Sequence, residues 1–274
     1  MPIVGERATV LITVKTSPQP SAKYGDTVCV AGVRLDGLRL GEWIRLYPIP
    51  FRYLDSDHQF RKYDQVEVTV RRRHQDGRRE SYSPEWESIN VFGHLDSWRD
   101  RVEVMRNVPR TTTCQLQEGT RGNPNGPSLG MTEIADVSRL RFEDHPGWTP
   151  AEQVKIANAL SQLDLFGDGS KPPQLKAPRF KAIYRYRCTA LNCSGHDGQI
   201  LDWELTELER RLRQESDQDA KRKITERFLG MMFSAKRSAS FFLGNFENPT
   251  KRDKFSVLGV YYPSKIEESH ATLF

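Results

Sequence analysis

Residues 65–71 (QVEVTVR) alternate without a fault. Val66, Val68 and Val70 fall on one side of an extended chain, and Glu67, Thr69 and Arg71 on the other. A period of two cannot line one face of a helix, so the segment is predicted to be a strand with one buried side. Residues 8–15 (ATVLITVK), 27–33 (TVCVAGV) and 42–47 (EWIRLY) are short runs of the same kind, and Asp36-Gly37 and Asp76-Gly77 supply turn chemistry between runs. Short strands at this spacing predict a small barrel or sandwich. The expected class is therefore α+β, with an N-terminal small β-barrel, OB-like or PUA-like, over residues 1–110.

The pattern changes beyond that point. Residues 111–130 carry Gly119, Gly122 and the run Asn123-Pro124-Asn125-Gly126-Pro127, which reads as a loop. Thr149 and Pro150 then supply an N-cap and a first-turn proline, with Glu152 favourable in the same turn. The predicted helix runs through Val154, Ala157 and Leu160 until the Gly/Pro-rich stretch 167–173 stops it. Residues 111–174 thus read as an irregular connection with one helix. Residues 175–274 read as an α+β domain: strand at 180–188, helices at 202–214 and 218–233, strands at 238–243 and 255–262. Its helix, helix, hairpin order is also that of a winged helix, whose wing would carry Lys251 and Arg252.

Composition narrows the classes. Of the 274 residues 37% are hydrophobic, with 13 Phe, 9 Tyr and 5 Trp, enough to build a core and to exclude wholesale disorder. The net charge of +5 favours a polyanionic partner without naming one. No run approaches the ~18 apolar residues that span a bilayer. The segment from Met1 to Arg7 lacks a signal peptide's apolar stretch. Four cysteines are too few for a disulfide framework. A reducing, cytoplasmic setting is expected. No Walker loop, Gly-x-Ser-x-Gly elbow, His-Glu-x-x-His or dinucleotide fingerprint is present, which disfavours nucleotide hydrolysis and serine hydrolase chemistry.

Three groups of residues carry chemistry. The first is Cys188, Cys193 and His196, a C-x4-C-x2-H cluster. Thiolate and imidazole are the preferred ligands of zinc, so a structural zinc in a knuckle-like turn is expected. The fourth ligand stays open among Cys114, His94, His145, Asp197 and water. Cys29, inside an apolar strand, reads as a small buried hydrophobe. Asp202 and Glu204, with Asp197 and His196, could hold a divalent metal for phosphodiester hydrolysis. A helix N-terminus also wants an acid, so Asp202 reads more simply as an N-cap.

The second group is basic. Arg71, Arg72, Arg73, Arg78 and Arg79 flank the turn 75–77, and Lys251 and Arg252 form a later pair. Guanidinium suits phosphate, and the neighbouring Trp43, Tyr47, Phe51 and Tyr53 would suit stacking on bases.

The third group, Gln162-Leu163-Asp164-Leu165-Phe166, resembles the peptide by which bacterial replication and repair proteins dock on the polymerase sliding clamp. Its Leu and Phe would anchor in an apolar pocket and its Gln would fix direction. The same spacing also suits a buried helix face, with Leu160, Leu163 and Phe166 as core residues. More widely, residues 21–32, 43–52, 188–204 and 242–263 together resemble an uncharacterised bacterial family of hypothetical proteins. That resemblance covers most of the chain and implies no activity.

The expected function is a DNA-associated accessory protein of replication or repair. It would be recruited to the sliding clamp by residues 162–166 and would contact nucleic acid, DNA before RNA, through the basic hairpin. The alternative is a metal-dependent nuclease or nucleic-acid modifying enzyme of repair or phage defence.

Overall fold

The structure, a computed structural model, describes residues 5–166 and 173–270, with the backbone alone at 159–166 and 270. The first seven strands are β1 (Glu6–Lys15), β2 (Gln19–Ser21), β3 (Gly25–Arg34), β4 (Trp43–Ile49), β5 (Asp64–Arg72), β6 (Ser81–Pro84) and β7 (Asn90–His94). Five of them close on themselves in the order β1-β3-β4-β6-β5, because β1 pairs with both β3 and β5. All five junctions are antiparallel except β4–β6, which is parallel. The barrel expected at the N-terminus is therefore present. β2 extends it along β3, and β7 along β5.

The alternation in β5 does what its period demands. Val66, Val68 and Val70 enter the barrel interior with Ala8, Val10, Ile12, Val28, Val30 and Ile44. β1 and β3 are buried on both sides. Leu11 and Val14 of β1, on the outer face, are three residues apart; a register shift between Ile12 and Val14 puts them on one side.

That outer face meets the second half of the chain. After α1 (Trp98–Met105) come β8 (Arg110–Thr111), α2 (Thr113–Thr120), β9 (Leu129–Asp144) and α3 (Pro150–Phe166). There follow β10 (Phe180–Cys188), β11 (His196–Gln199), α4 (Trp203–Arg211), α5 (Asp217–Thr225), β12 (Ser240–Asn245), β13 (Phe255–Tyr261) and α6 (Lys265–His270). The strands form a second sheet in the order β11-β10-β9-β12-β13, with β8 parallel to β9. Successive residues of β12 point opposite ways. Phe241 packs with Leu205, Ile224 and Phe228 on the helix side. Phe242 packs with Leu11, Val14, Ala31 and Val33 on the barrel side. The result is three layers: barrel, sheet and helices.

Two expectations change here. Residues 111–130 are not all loop, since α2 lies within them, opened by a capping box between Thr112 and Gln115. The hairpin of β12 and β13 is no exposed wing, because β12 sits between β9 and β13 and both strands are buried along their length. The helix predicted from Pro150 does form, capped by Thr149, whose hydroxyl accepts from the Glu152 N–H at 3.3 Å. Its last turns carry residues 162–166; their backbone is helical, while the exposure of the clamp-like side chains lies outside what is described.

Candidate metal centre and basic loops

The sequence cluster gains its fourth member from α2. Cys188 ends β10, Cys193 lies in the following turn, and His196 opens β11. Gly195, with φ +103°, takes the left-handed turn between the last two. Cys114 arrives from the first turn of α2. Cys114 Sγ lies 3.6 Å from Cys188 Sγ and 3.5 Å from His196 Nε2. Cys188 and Cys193 Sγ lie 3.5 and 3.2 Å from the same Nε2. All four donor atoms fall within 4.8 Å of one another. A tetrahedral zinc, with bonds of about 2.3 Å to sulfur and about 2.0 Å to nitrogen, separates its ligands by about 3.8 Å for S–S pairs and about 3.5 Å for S–N pairs. The group could hold a metal ion, and its spacing suits zinc.

The other candidates for the fourth place are engaged elsewhere. His94 Nδ1 lies 2.5 Å from Asp64. His145 accepts from the Gly147 N–H, and Asp197 faces Arg185 at 3.5 Å and Arg141 at 3.7 Å. The thiols are not equivalent. Burial opposes charge on Cys188, but backbone donors from Cys114 and Ala190 and its contact with His196 bring it down to about 6. Burial and its neighbour Cys188 push Cys114 up to about 12. Behind the ligands, the Tyr186 hydroxyl bonds Thr113 Oγ1 at 3.1 Å, joining β10 to the start of α2.

Asp197, Asp202, Glu204 and His196 do not assemble. Among the described residues, the Cys/His group is the only set of three or more potential ligands brought together. Asp202 caps α4, accepting from the Glu204 N–H at 3.0 Å, and faces Lys62 at 3.2 Å. Lys62 comes from just before β5, so this buried pair ties barrel to helix. Burial works against the Lys62 ammonium, but Asp202 and Glu204 outweigh it and raise its pKa above the ordinary lysine value. Nothing in the sequence around Lys62 signals that role.

The five hairpin arginines take different places. Arg71 pairs with Glu85. The Arg72 guanidinium lies 5.5 Å from the Tyr82 ring centre, and that of Arg73 lies 4.9 Å from Tyr47's. Arg78 is only 5% exposed; it forks onto Asp76 and donates to the Asn245 carbonyl at 2.9 Å. Its charge is therefore spent inside the protein, and the five do not form one exposed tip. Arg79 is the most exposed, with its side chain 68% exposed and 3.7 Å from Glu80. The later basic pair sits close by: Gly77 lies against the Arg252 guanidinium, Arg73 is 3.6 Å from Glu247, and Lys251 is exposed. Cys29 is half-buried and accepts from Arg45 at 3.1 Å. On the outer face of β4, Trp43 meets Phe242 edge-on and Arg45 donates to Ser128, so this strip is covered by the second sheet.

Fold and site together define an α+β protein in which a closed five-stranded barrel is backed by a second sheet bearing a Cys3His group. Residues 109–274 match the family model described as a domain of unknown function (DUF8757), and residues 6–107 match a second (DUF8758). The chain belongs to the DUF8757 family, and all four members of the Cys/His group fall within that match. No curated protein matches the chain.

Proposed function

We propose that this protein is a nucleic-acid-associated accessory factor of DNA replication or repair, working in the bacterial cytoplasm. The observation that carries the reading is the meeting of two basic segments, far apart in sequence, at one set of loops beside the barrel. Numbered within the barrel alone, the strand order is 1-2-3-5-4, with strands 3 and 5 parallel, which supports reading the barrel as OB-like. In that fold the loop between strands 4 and 5 takes part in binding oligonucleotides. Here it is residues 73–80, with Arg73, Arg78 and Arg79. Arg78 fastens the loop to the end of β12. Arg79 and Lys251 reach solvent and would meet phosphates.

Zinc at Cys114, Cys188, Cys193 and His196 is structural in this reading, since four protein ligands leave no open coordination position. Thiolate ligands accord with a reducing compartment. Residues 162–166 dock on the sliding clamp, a part of the proposal that rests on their sequence. No described helix is long and apolar enough to cross a membrane.

Fluorescence anisotropy with single-stranded and duplex 20-mers tests the nucleic-acid contact. The expected affinity falls with salt, and Arg79→Glu with Lys251→Glu lowers the salt slope by about one for each phosphate no longer neutralised. Unchanged affinity and slope in the double variant would reject the assigned surface. Clamp docking is tested separately: Phe166→Ala should abolish capture by purified clamp while circular dichroism stays native.

A further inference from the structure

We propose a second ligand site, distinct from the metal group and the basic loops: the cleft between the barrel and α4 binds a nucleoside monophosphate group. This goes beyond the proposed function and does not rest on it. The cleft holds about 380 Å3, within the range of small-ligand pockets and enough for one nucleotide. Val260, Tyr63, Lys15 and Lys62 are its most buried lining. Trp98, Trp203 and Tyr262 supply aromatic walls, and the exposed Arg61 and Arg211 stand at its rim.

Charge favours an anion. Five lysines and arginines line the cleft against two carboxylates, Glu204 and Glu207, and Asp64 stands 3.8 Å from one of the five, Arg61. Lys62 is already held by Asp202. Arg101 is not held by any acid among the described residues: its guanidinium lies 4.1 Å from the Tyr63 ring centre and 5.0 Å from Trp98's, and it donates to the carbonyls of Leu95 and Asp96. A guanidinium laid on aromatic faces beside a cavity is the arrangement that receives a phosphate.

Tyr63 supplies the independent observation. Tyr63 lines the cleft, and its hydroxyl, closed off from solvent, has no hydrogen-bond partner. A buried unpaired hydroxyl costs about 1–3 kcal/mol until something pairs with it. Its backbone adopts φ +68°, which a bulky residue avoids. Hydrogen bonds from the Tyr63 N–H to Ile12 O and from the Leu95 N–H to Tyr63 O keep it there. Strain of this kind is retained where the surroundings over-determine a functional side chain. A ligand with a planar base for the aromatic walls and a phosphate for the cations fits the cleft, and a turn of the Tyr63 side chain would bring its hydroxyl to a polar atom of that ligand.

Calorimetric titration of the full chain with AMP, GMP, CMP and UMP tests the site. At least one should saturate, with inorganic phosphate and the free nucleoside roughly tenfold weaker or more. Arg61→Gln with Arg211→Glu should weaken binding about tenfold or more, the first giving up only a 3.8 Å pairing with Asp64, and circular dichroism should stay native. Arg79→Glu with Lys251→Glu should leave it unchanged, which separates this site from the basic loops. A second arm uses 5′-phosphorylated and 5′-hydroxyl oligonucleotides. Saturation by the phosphorylated strand alone, lost in the rim variant, assigns the ligand to a strand end; saturation by the mononucleotide assigns it to the free pool. No saturation by any of these at millimolar concentration, or equal affinity in the rim variant, overturns the proposal.

Discussion

Replacing Asp202 by asparagine should unlatch the barrel from α4. Lys62 Nζ and Asp202 Oδ2 are 3.2 Å apart, and both side chains are almost wholly buried. At an effective dielectric constant of about 20, that separation is worth about 5 kcal/mol of attraction, part of which offsets the removal of two charges from water. Asparagine keeps the helix cap, and Glu204 stays 3.7 Å from the ammonium, so Lys62 is left weakly compensated. The expected loss is about 3 kcal/mol, and Asp202→Ala should lose about 1 kcal/mol more because the cap goes too. Burial already pushes Asp202 up to about 6, so in Lys62→Met its carboxyl can take a proton and the cost is smaller. The assay is urea unfolding followed by circular dichroism at pH 7.5, with both single variants and the double. In thermal unfolding the same loss of about 3 kcal/mol should appear as a melting point lower by roughly 6–12 °C. The double-mutant cycle should return a coupling of at least about 2 kcal/mol. Asp202→Asn within about 0.5 kcal/mol of the parent, or additive single effects, would refute the latch.

Two other outcomes are expected. Burial raises Glu209 to about 7, against the backbone N–H of Arg179. A carboxyl raised on folding stabilises the protein fully below its unfolded pKa, and that stability is lost as pH rises through the folded value. The parent should therefore lose about 3 kcal/mol between about pH 4.5 and pH 7, and Glu209→Gln should flatten that part of the unfolding free-energy profile. Cys114→Ser should lower the zinc content of protein purified without chelator from one equivalent to less than about half. It should also remove the stabilisation conferred by zinc, about 2.7 kcal/mol at a hundredfold excess over Kd, seen as a melting point that no longer responds to zinc.

How legible each segment is in the sequence follows from where it lies. β5 is plain because one side faces the barrel interior and the other is partly exposed, so its pattern is the bare period of two. β12 and β13 are visible as apolar runs because their part of the sheet is covered on both faces, whereas β10 alternates, with Phe180, Ala182, Tyr184 and Tyr186 turned to the helices and Lys181, Arg185 and Arg187 on its open side. β9 gives no such signal: its first four residues are buried and most of the remainder are not, so its sixteen residues carry no single period. α2 is hidden by the Gly, Pro and Asn that follow it, which read as loop. The Thr112–Gln115 capping box is the available signal, and it places Cys114 at a helix start. The three-residue core of the metal group is legible from spacing. The fourth ligand is not, because 74 residues separate Cys114 from Cys188 and only the packing of α2 onto the sheet closes that gap. The basic hairpin is legible as composition, but the commitment of Arg78 depends on Asn245, 167 residues away.

The apolar seam between Leu11, Val14, Ala31 and Val33 on one side and Leu129, Met131, Phe242 and Leu258 on the other crosses the boundary between the two family regions. Each region presents to the other a stripe that water would otherwise cover. Severed between residues 107 and 109, the chain should behave as a fragment-complementation pair: each piece aggregates when made alone, and the two recover one another when made together. The same seam implies that a genome carrying the first region without the second must supply a surrogate for that surface.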